Sequence, residues 1–322
     1  MTDHSSGPPP AILRTVGLLG PAGTFTEQAL RTQADLAAAE LVLYPTMPDV
    51  LRAVESGEVD WGFVAVENSI EGTVNAASDT LAFDVDLLIQ REVVIHIEQH
   101  LMAVPGAALA GISEVVSIPH ATAQVGDFLH RELPDITTRA ANSTSEAARM
   151  VAEAGDPKVA AIGNRLAAEV YGLEVIASRI EDHPENQTRF LAVAPGTVTP
   201  PTGHDKTSIV VSQRADRPGS LLSILQEFAA RRINLTKLES RPTKKALGDY
   251  CFLLDLEGHV ADDVVADCLK AVRVKHGTVK FLGSYPSASG EVTERRRDVQ
   301  DAIRDADDWL TAIRDLIATV GG

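Results

Sequence analysis

Residues Thr15–Ala39, TVGLLGPAGTFTEQALRTQADLAAA, contain the pattern that decides the fold of this chain. Thr15–Leu19 is a short apolar run typical of a buried strand, Gly20–Phe25 is a glycine-containing turn, and Thr26–Ala39 has helical periodicity. The same order of strand, turn and helix recurs up to about Pro195. Alternation of this kind predicts an α/β domain with a largely parallel sheet.

Further apolar runs and periodic segments extend this pattern. Strands are expected at Trp61–Val66, Glu114–Ile118, Val159–Ile162 and Phe190–Ala194, and helices at Asp49–Glu55, Val74–Ala82, Ala123–Arg131 and Ser143–Ala154. Ser143 with Glu146 three residues later forms a capping box, which predicts where the last of these helices begins.

A second domain is predicted after residues Pro195–Asp205, which contain three prolines and two glycines and are typical of a linker. The later elements have the order βαββαβ, which is the ferredoxin-like arrangement. They are Thr207–Gln213, Pro218–Arg231, Ile233–Pro242, Asp249–Glu257, Ala261–His276 and Val279–Tyr285, with Lys244–Gly248 as a hairpin loop. We therefore predict a disordered extension at 1–14, an α/β domain at 15–195, a linker at 196–206, a βαββαβ domain at 207–286 and an amphipathic helical tail at 287–322.

Composition limits the classes of partner. The 322 residues carry a formal net charge of -16, whereas nucleic-acid binding needs clustered Lys and Arg. An anionic substrate must therefore be held by a local site, since the overall field repels it. The two cysteines, Cys251 and Cys268, form no metal or disulfide pattern. With no secretion signal and no apolar run of about 18 residues, we expect a cytoplasmic protein that binds no membrane.

Polar residues after the predicted strands are candidates for chemistry, but each has a simpler structural explanation. The Gly20–Phe25 turn could bring its backbone N–H groups to an anion, or its glycines could only relieve crowding. Glu67–Thr73 follows a strand at the edge where open α/β sheets bind ligands. Its Asn68 and Ser69 could equally cap the next helix.

Two later segments are similarly open. In Ser117–Gln124, His120 could act as a base, although a single histidine after a strand is more often a surface or capping residue. In Asn186–Phe190, Arg189 could bind a carboxylate with two hydrogen bonds. Thr188 could donate a hydrogen bond, but a free hydroxyl is a poor acid.

Neither a metal nor an organic cofactor is predicted. His96 and His100 would share a face if Ile95–Val104 is a strand, but no third ligand is near. The glycine turn lacks the spacing of a dinucleotide fingerprint and the lysine of a P-loop.

Together and in this order, these motifs resemble those of bacterial prephenate dehydratases. The matching segments are GPAGTFTEQA (20–29), VENSIEGTV (66–74), SIPHATAQVGDFL (117–129), NSTSEAA (142–148), AAIGN (160–164), YGL (171–173) and NQTRFLAV (186–193). DRPGSLLSILQEFAARRINLTKLESRP (216–242) resembles the phenylalanine-binding ACT domain of the same enzymes. The resemblance reaches about Tyr285. It implies a type II periplasmic-binding-protein-like catalytic domain, made of two α/β subdomains with a cleft between them, followed by a ferredoxin-like ACT domain.

The resemblance also implies the site. The catalytic threonine of the family corresponds to Thr188, with Arg189 and Phe190 completing its motif. Substrate-site positions correspond to Glu67, Asn68, Ser117, Gln124, Gly23, Thr24, Ser143, Thr144 and Ser145. Of these we assign Glu67 and Asn68 to catalysis, together with Thr188 and Arg189. Where many relatives have His-Pro-Gln, this chain has Ile118-Pro119-His120, so His120 inherits no role.

The implied activity is the conversion of prephenate to phenylpyruvate, with loss of water and CO2 and without a cofactor. We expect Arg189 and the N–H groups of the Gly20–Thr24 turn to bind the carboxylates. Thr188 would donate to the departing hydroxyl, and Glu67 could support it if burial keeps its carboxyl protonated. An arogenate dehydratase and a catalytically silent amino-acid sensor are the alternatives.

The ACT resemblance implies that phenylalanine binds between the ACT domains of two subunits. We therefore expect at least a homodimer, and the resemblance suggests a homotetramer built as a dimer of dimers. The effector-site positions are Gly219, Ser220, Leu221, Leu222, Asn234, Glu239, Ser240, Arg241 and Pro242. Ser220 departs from the alanine of the usual GALV motif, which bears on effector affinity.

Overall fold

The computed structural model describes residues 13–213, 218–243, 249–289, 305–306 and 308–314. The chain divides into two compact units, Met1–Val198 and Thr199–Gly322. The predicted extension (except residues 13 and 14), the Lys244–Gly248 loop and most of the C-terminal tail lie outside the described residues. Within the tail, residues 308–314 are helical.

The strands are β1 (Thr15–Leu19), β2 (Glu40–Tyr44), β3 (Trp61–Asn68), β4 (Gly72–Thr73), β5 (Leu88–His96), β6 (His100–Ala103), β7 (Glu114–Ser117), β8 (Thr137–Ala140), β9 (Val159–Gly163), β10 (Glu174–Ser178), β11 (Gln187–Ala194), β12 (Asp205–Gln213), β13 (Leu235–Pro242), β14 (Tyr250–Glu257) and β15 (Gly277–Pro286). The helices are α1 (Phe25–Arg31), α2 (Ala34–Ala37), α3 (Met47–Ser56), α4 (Asn75–Phe83), α5 (Pro119–Ala123), α6 (Gly126–Glu132), α7 (Thr144–Ala154), α8 (Arg165–Tyr171), α9 (Ser220–Ala230) and α10 (Asp263–Lys275).

The first unit contains two lobes, each built on its own sheet. The first lobe has the strand order β2-β1-β3-β11-β5, with β4 paired to β3, and the second has the order β10-β6-β9-β7-β8. The chain crosses into the second lobe between β5 and β6 and returns between β10 and β11. Both lobes have helices around a mixed sheet, which confirms the predicted two-subdomain α/β class.

The prediction of a largely parallel sheet is wrong. β1 pairs in parallel with β2 and β3, but β11 is antiparallel to both β3 and β5. In the second lobe, β7 is parallel to β8 and β9, whereas β6 is antiparallel to β9 and β10. The strands that follow the two crossings, β6 and β11, run opposite to their neighbours in the sheet.

Local sequence signals explain where several helices begin and end. Ser143 accepts a hydrogen bond from the Glu146 N–H (3.0 Å), which confirms the predicted start of α7. Gly155 then ends α7 with a φ of 65°, a left-handed conformation that suits glycine. The helix predicted at Thr26–Ala39 is instead two helices, because the Thr32 hydroxyl bonds back to the Ala29 carbonyl where α1 ends.

The core of the first lobe surrounds a stacked aromatic pair. The rings of Phe63 on β3 and Phe190 on β11 have centroids 5.6 Å apart, and both side chains are fully buried. Such a pair contributes about 0.5–1.5 kcal/mol beyond the burial itself. Gly62, which precedes Phe63 in β3, leaves room for Val54, because a Cβ at position 62 would approach the Val54 side chain to 2.8 Å. The packing holds β3 and β11 in the register on which the site depends.

The second unit is a four-stranded antiparallel sheet with the order β13-β14-β12-β15. Its element order βαββαβ confirms the ferredoxin-like prediction. Ile224 and Phe228 of α9 and Cys268 of α10 pack on the buried apolar side chains of the sheet. β12 begins at Asp205, inside the predicted linker, and Thr199 already donates to the Ser284 carbonyl (2.8 Å).

Among the described helices, none is long and apolar enough to cross a membrane.

Candidate active site between the two lobes

Polar side chains of both lobes lie where strands end. In the first lobe, the Gly20–Thr24 turn follows β1 and Asn68 is the last residue of β3. In the second lobe, Ser117 ends β7, and Ser143–Ser145 stand at the start of α7, after β8. These are the carboxyl ends of parallel strands, where α/β sheets bind ligands.

Thr188 and Asn68 face each other across the pairing of β11 with β3. Asn68 Nδ2 donates to Thr188 Oγ1 at 2.8 Å, and Thr188 is only 8% exposed. Because the hydroxyl oxygen accepts this bond, its own hydrogen is available for another acceptor. Among the described residues, the Thr188 side chain makes no other hydrogen bond. The geometry therefore prepares Thr188 to act as a donor.

Asn68 is held in this orientation by its own turn. Its Oδ1 accepts from the N–H groups of Ile70 (2.9 Å) and Glu71 (3.0 Å). The oxygen is therefore assigned by backbone donors, and Nδ2 must point towards Thr188 and Asn186. The Asn68 Nδ2–Asn186 Oδ1 distance is 2.9 Å.

The Gly20–Thr24 turn contacts the second lobe. Gly23 has a φ of 83°, and a Cβ on it would lie 3.0 Å from the Ala167 Cα in α8. Tyr171 of the same helix donates its hydroxyl to the Ala22 carbonyl (2.9 Å), and burial raises the pKa of this phenol. Here the glycine allows the two lobes to approach each other.

The predicted use of this turn as a carboxylate grip is only partly compatible with the structure. The Gly23 N–H donates to the Glu27 carboxylate (2.7 Å), the Gly20 N–H donates to the Tyr44 carbonyl, and Pro21 has no N–H. Thr24 Oγ1 accepts from the Glu27 N–H (3.1 Å) and so caps α1. The N–H groups of Gly20 and Gly23 are therefore not available to a ligand.

Arg189 does not fit the predicted role of binding a substrate carboxylate. Its Nε donates to Glu92 Oε2 at 2.7 Å, and one terminal nitrogen lies 3.6 Å from Glu67 Oε2. The Glu92 side chain is 1% exposed, so separating this pair would leave a buried charge uncompensated. Glu67 itself is 41% exposed, so the burial on which its proposed role depended is absent.

The prediction that Phe190 contacts substrate is also contradicted. Its side chain is 1% exposed and packs on Phe63 inside the first lobe. A register shift between Arg189 and Phe190 accompanies this inward orientation.

The predicted site residues of the second lobe mostly make hydrogen bonds within the protein or are buried in it. Ser117 Oγ donates to the Ile162 carbonyl (3.0 Å), and Ser143 caps α7. Thr144 and Ser145 are buried at the start of that helix. Within the described part of the chain, Ser145 Oγ and Asn164 Nδ2 are buried without a hydrogen-bond partner. Buried unpaired groups are costly, so this place suits a ligand or a water molecule.

The two histidines considered as a metal pair lie in different lobes. His96 ends β5 and His100 begins β6, so the single strand predicted at Ile95–Val104 is wrong and the residues share no face. His100 is buried, and burial lowers its pKa. Among the described residues, no group of three or more His, Cys, Asp and Glu side chains could hold a metal ion. His120 lies exposed in α5.

Two of the three predicted effector segments lie at the same end of the second unit's sheet. Ser212 on β12 and Arg241 on β13 both pair with Cys251 of β14, so β12 and β13 end at the same edge of the sheet. Glu239–Pro242 form the end of β13, and Gly219–Leu222 follow β12 in the chain. Gly219 has a φ of 86°, which suits glycine.

Asn234 lies apart from those two segments. It precedes β13 and donates to Glu257 (3.0 Å), roughly 16 Å along the strand from Glu239. Leu222 is 60% exposed, Leu221 packs against the core, and Ser220 begins α9. Within the described residues of one chain, Asn234 is therefore separated from the other two predicted effector segments.

Asn186 and Glu71 were not among the predicted site residues. Asn186 is 1% exposed and bonds to Asn68, Ser69 and Gln124. Gln124 in turn donates to Glu71 at 3.2 Å. Both residues lie inside motifs quoted above. The asparagine two positions before Thr188 was the signal in the sequence that could have identified Asn186 as a site residue.

The fold and site together define a class: a two-lobed, type II periplasmic-binding-protein-like enzyme domain followed by an ACT domain. The family model described as prephenate dehydratase matches residues 16–197, and the ACT domain model matches residues 207–274. The chain belongs to the prephenate dehydratase family. The boundary between the compact units, after Val198, falls between the two matches.

Individual relatives support this assignment. The prephenate dehydratase of Amycolatopsis methanolica is 42% identical over 306 residues, covering 93% of this chain and 97% of the relative. The crystal structure of the Arthrobacter aurescens prephenate dehydratase in complex with L-Phe has a TM-score of 0.84 at 37% identity, covering 94% of this chain and 99% of that one. A structure described as GqqA, a novel type of quorum quenching acylases, has a TM-score of 0.77 at 28% identity and covers 85% and 98%.

Proposed function

We propose that this chain converts prephenate to phenylpyruvate in L-phenylalanine biosynthesis, acting as a carbon–oxygen lyase in the cytoplasm. Family membership supports the reaction, as does similarity over nearly the full length of the Amycolatopsis relative. The single structural observation that carries the proposal is the Asn68–Thr188 hydrogen bond, which leaves the threonine hydrogen free to be donated.

The chemistry requires little beyond orientation and one donor. Breaking the bond between the ring and its carboxylate releases CO2, and the electron pair moves through the ring to expel the hydroxyl at carbon 4. That hydroxyl leaves as water after gaining one proton, so prephenate and H⁺ yield phenylpyruvate, CO2 and H2O. Aromatisation drives the reaction, and the protein must stabilise the developing negative charge on the departing oxygen.

Thr188 is the proposed donor to that oxygen. Asn68 holds it by donating to Oγ1, which directs the hydroxyl hydrogen away from β3. Arg189, paired with Glu92 on β5 and near Glu67 on β3, locks the strand that carries Thr188. We assign Arg189 and Glu67 this orienting role instead of direct contact with substrate.

The carboxylates would meet neutral donors of both lobes. Candidates are the Thr24 N–H, the Ser145 hydroxyl and the start of α7, where backbone N–H groups favour negative charge. The unpaired Ser145 Oγ supports this placement.

The decisive experiment compares Thr188→Ala and Thr188→Ser with wild type on prephenate. Losing one well-placed donor costs about 10²–10³ in rate, so the alanine variant should lose that much kcat and the serine variant much less. Thr138→Ala, at an exposed position of β8, is the matched control. An alanine variant within a few-fold of wild type would refute the assignment.

The same assay separates the alternative functions. Arogenate in place of prephenate should give phenylalanine if the chain is an arogenate dehydratase. No turnover of either compound, with phenylalanine still bound, would favour a silent sensor. Similarity to GqqA reflects the fold, and the acylase description belongs to that protein.

For regulation, we propose that phenylalanine binds the ACT domain between two subunits and inhibits the reaction. The Arthrobacter relative was crystallised in complex with L-Phe. The separation of Asn234 from Gly219–Leu222 and Glu239–Pro242 within one chain supports a homodimeric pocket. We also propose a catalytic domain at 15–195 and an ACT domain at 207–286, joined by a linker at 196–206. Two such dimers would assemble into a homotetramer.

A further inference from the structure

A chain of hydrogen bonds connects the proposed donor to the second lobe, and its direction is determined at both ends. At one end, backbone N–H groups hold Asn68 Oδ1, so Asn68 Nδ2 donates to Asn186 Oδ1 (2.9 Å). Asn186 Nδ2 then donates to Gln124 Oε1 (3.4 Å), and Gln124 Nε2 donates to Glu71 Oε1 (3.2 Å). A carboxylate that can only accept terminates the chain. Rotating any one amide by 180° would place two like groups against each other.

Asn186 occupies the middle of this chain, at a crossing between the lobes. Its backbone carbonyl accepts from the Ile97 N–H (2.8 Å) in the other crossing segment. Its side chain contacts Asn68 and Ser69 of the first lobe and Gln124 of the second. At 1% exposure, its amide exchanges few bonds with water, so these partners decide its orientation.

We propose that Asn186 is a positioning residue that links Gln124 of the second lobe to the orientation of the Asn68–Thr188 pair, with Glu71 completing the hydrogen-bond chain. The proposal rests on the proposed dehydratase function. Because Gln124 fixes the Asn186 amide, Asn68 keeps its donor towards Thr188, and the hydroxyl hydrogen stays directed away from Asn68. Gln124 thus connects the two lobes by hydrogen bonds: its oxygen accepts from Asn186 and its NH2 group donates to Glu71.

A reversal of the hydrogen-bond direction tests this directly. Asn186→Asp keeps the oxygen that accepts from Asn68 but places a second oxygen against Gln124 Oε1. The Gln124 NH2 group can then donate to the new carboxylate at position 186 or to Glu71, but its oxygen faces whichever carboxylate is left, and both carboxylates can only accept. Adding Glu71→Gln supplies a donor at the far end, so the reversed chain from position 71 through Gln124 to position 186 is complete again.

The expected kinetics follow from the number of satisfied bonds. Asn186→Asp should lower kcat by about 10-fold or more, in line with the loss of one buried hydrogen bond. The double variant Asn186→Asp/Glu71→Gln should recover at least about 5-fold of that loss. Both variants carry the same new carboxylate at position 186, and Glu71→Gln alone, which completes the cycle, measures the effect of removing the charge at position 71. Gln226→Glu, at an exposed position of α9 in the second unit, is a further charge control and should change kcat far less.

The same cycle measured on Tm tests the hydrogen-bond chain without substrate. We expect Asn186→Asp to lower Tm and the second substitution to restore part of the loss. Recovery of both kcat and Tm supports the proposal. Recovery of Tm alone shows a purely structural chain and overturns the positioning role, and no recovery of either overturns the chain itself. A wild-type protein that does not turn over prephenate would refute the proposed function instead, and the Tm cycle would still report on the chain.

Discussion

Asn68→Asp should disable the site although Thr188 remains in place. The new carboxylate keeps one oxygen on the N–H groups of Ile70 and Glu71. Its other oxygen replaces a donor 2.8 Å from Thr188 Oγ1, so the hydroxyl must turn and donate to this carboxylate. A hydrogen bond to a charged group contributes about 1.5–3 kcal/mol, which is enough to hold the hydroxyl in the wrong direction.

The expected cost follows from losing the donor. A diverted hydroxyl is equivalent to an absent one, so kcat should fall by about 10²–10³, as for Thr188→Ala. In the Thr188→Ala background, Asn68→Asp should add little, giving a coupling of about 2.7–4 kcal/mol. Rates at saturating prephenate separate this effect from charge repulsion, which raises KM. Asn68→Ala, which frees the hydroxyl without diverting it, should be milder.

The reasoning would be refuted if Asn68→Asp kept more than a tenth of wild-type kcat. It would also be refuted if the two substitutions reduced kcat multiplicatively, because independent effects would mean that Asn68 does not act through Thr188.

Two further predictions concern the second unit. The hydrogen bond from Lys275, with others from His276 and Arg231, lowers the pKa of Glu227 from 4.5 to about 2. A carboxyl whose pKa is lowered by folding stabilises the folded state at pH values above its ordinary pKa, and this stabilisation is lost as the pH falls towards 2. Glu227→Gln should therefore cost about 1–2 kcal/mol of unfolding free energy at pH 7 after solvent screening, and progressively less below pH 4.5, measured by urea titration; an equal cost at pH 3 would contradict it. Separately, a chain ending near Thr202 should keep dehydratase activity yet ignore phenylalanine, whereas in the full chain a coupling of about 1–3 kcal/mol should change substrate affinity 5–150-fold. If calorimetry detects no phenylalanine binding to the full chain at millimolar concentration, the sensing role fails.

Elements bounded by strong local signals could be predicted from the sequence. Thr15–Leu19 matches β1 because an apolar run meets a glycine turn, and α7 begins after its capping box. β2 was missed because it is an edge strand with partly exposed side chains and no long apolar run. The break between β5 and β6 carries no glycine or proline. It arises because the chain changes lobes, which is a tertiary event.

The site shows the same division between local and distant information. Resemblance indicated Thr188 and Asn68, but their contact joins residues 120 positions apart through the register of β3 and β11. Arg189 was interpreted from its chemistry alone, and its partner Glu92 lies 97 positions away. Local patterns contain no information about such partners, so a charged side chain in a motif looks available when it is already paired.

The internal pairing of Arg189 is consistent with the reaction that we propose. In prephenate, one carboxylate becomes neutral CO2 while negative charge develops on the departing hydroxyl. A cation bound tightly to that carboxylate would stabilise the substrate more than the transition state and would raise the barrier. A neutral hydroxyl directed at the leaving oxygen does the opposite, since its interaction strengthens as charge develops there. We infer that Glu92 and Glu67 keep the Arg189 charge away from the carboxylate that leaves, while Asn68 directs Thr188 to where the charge arrives.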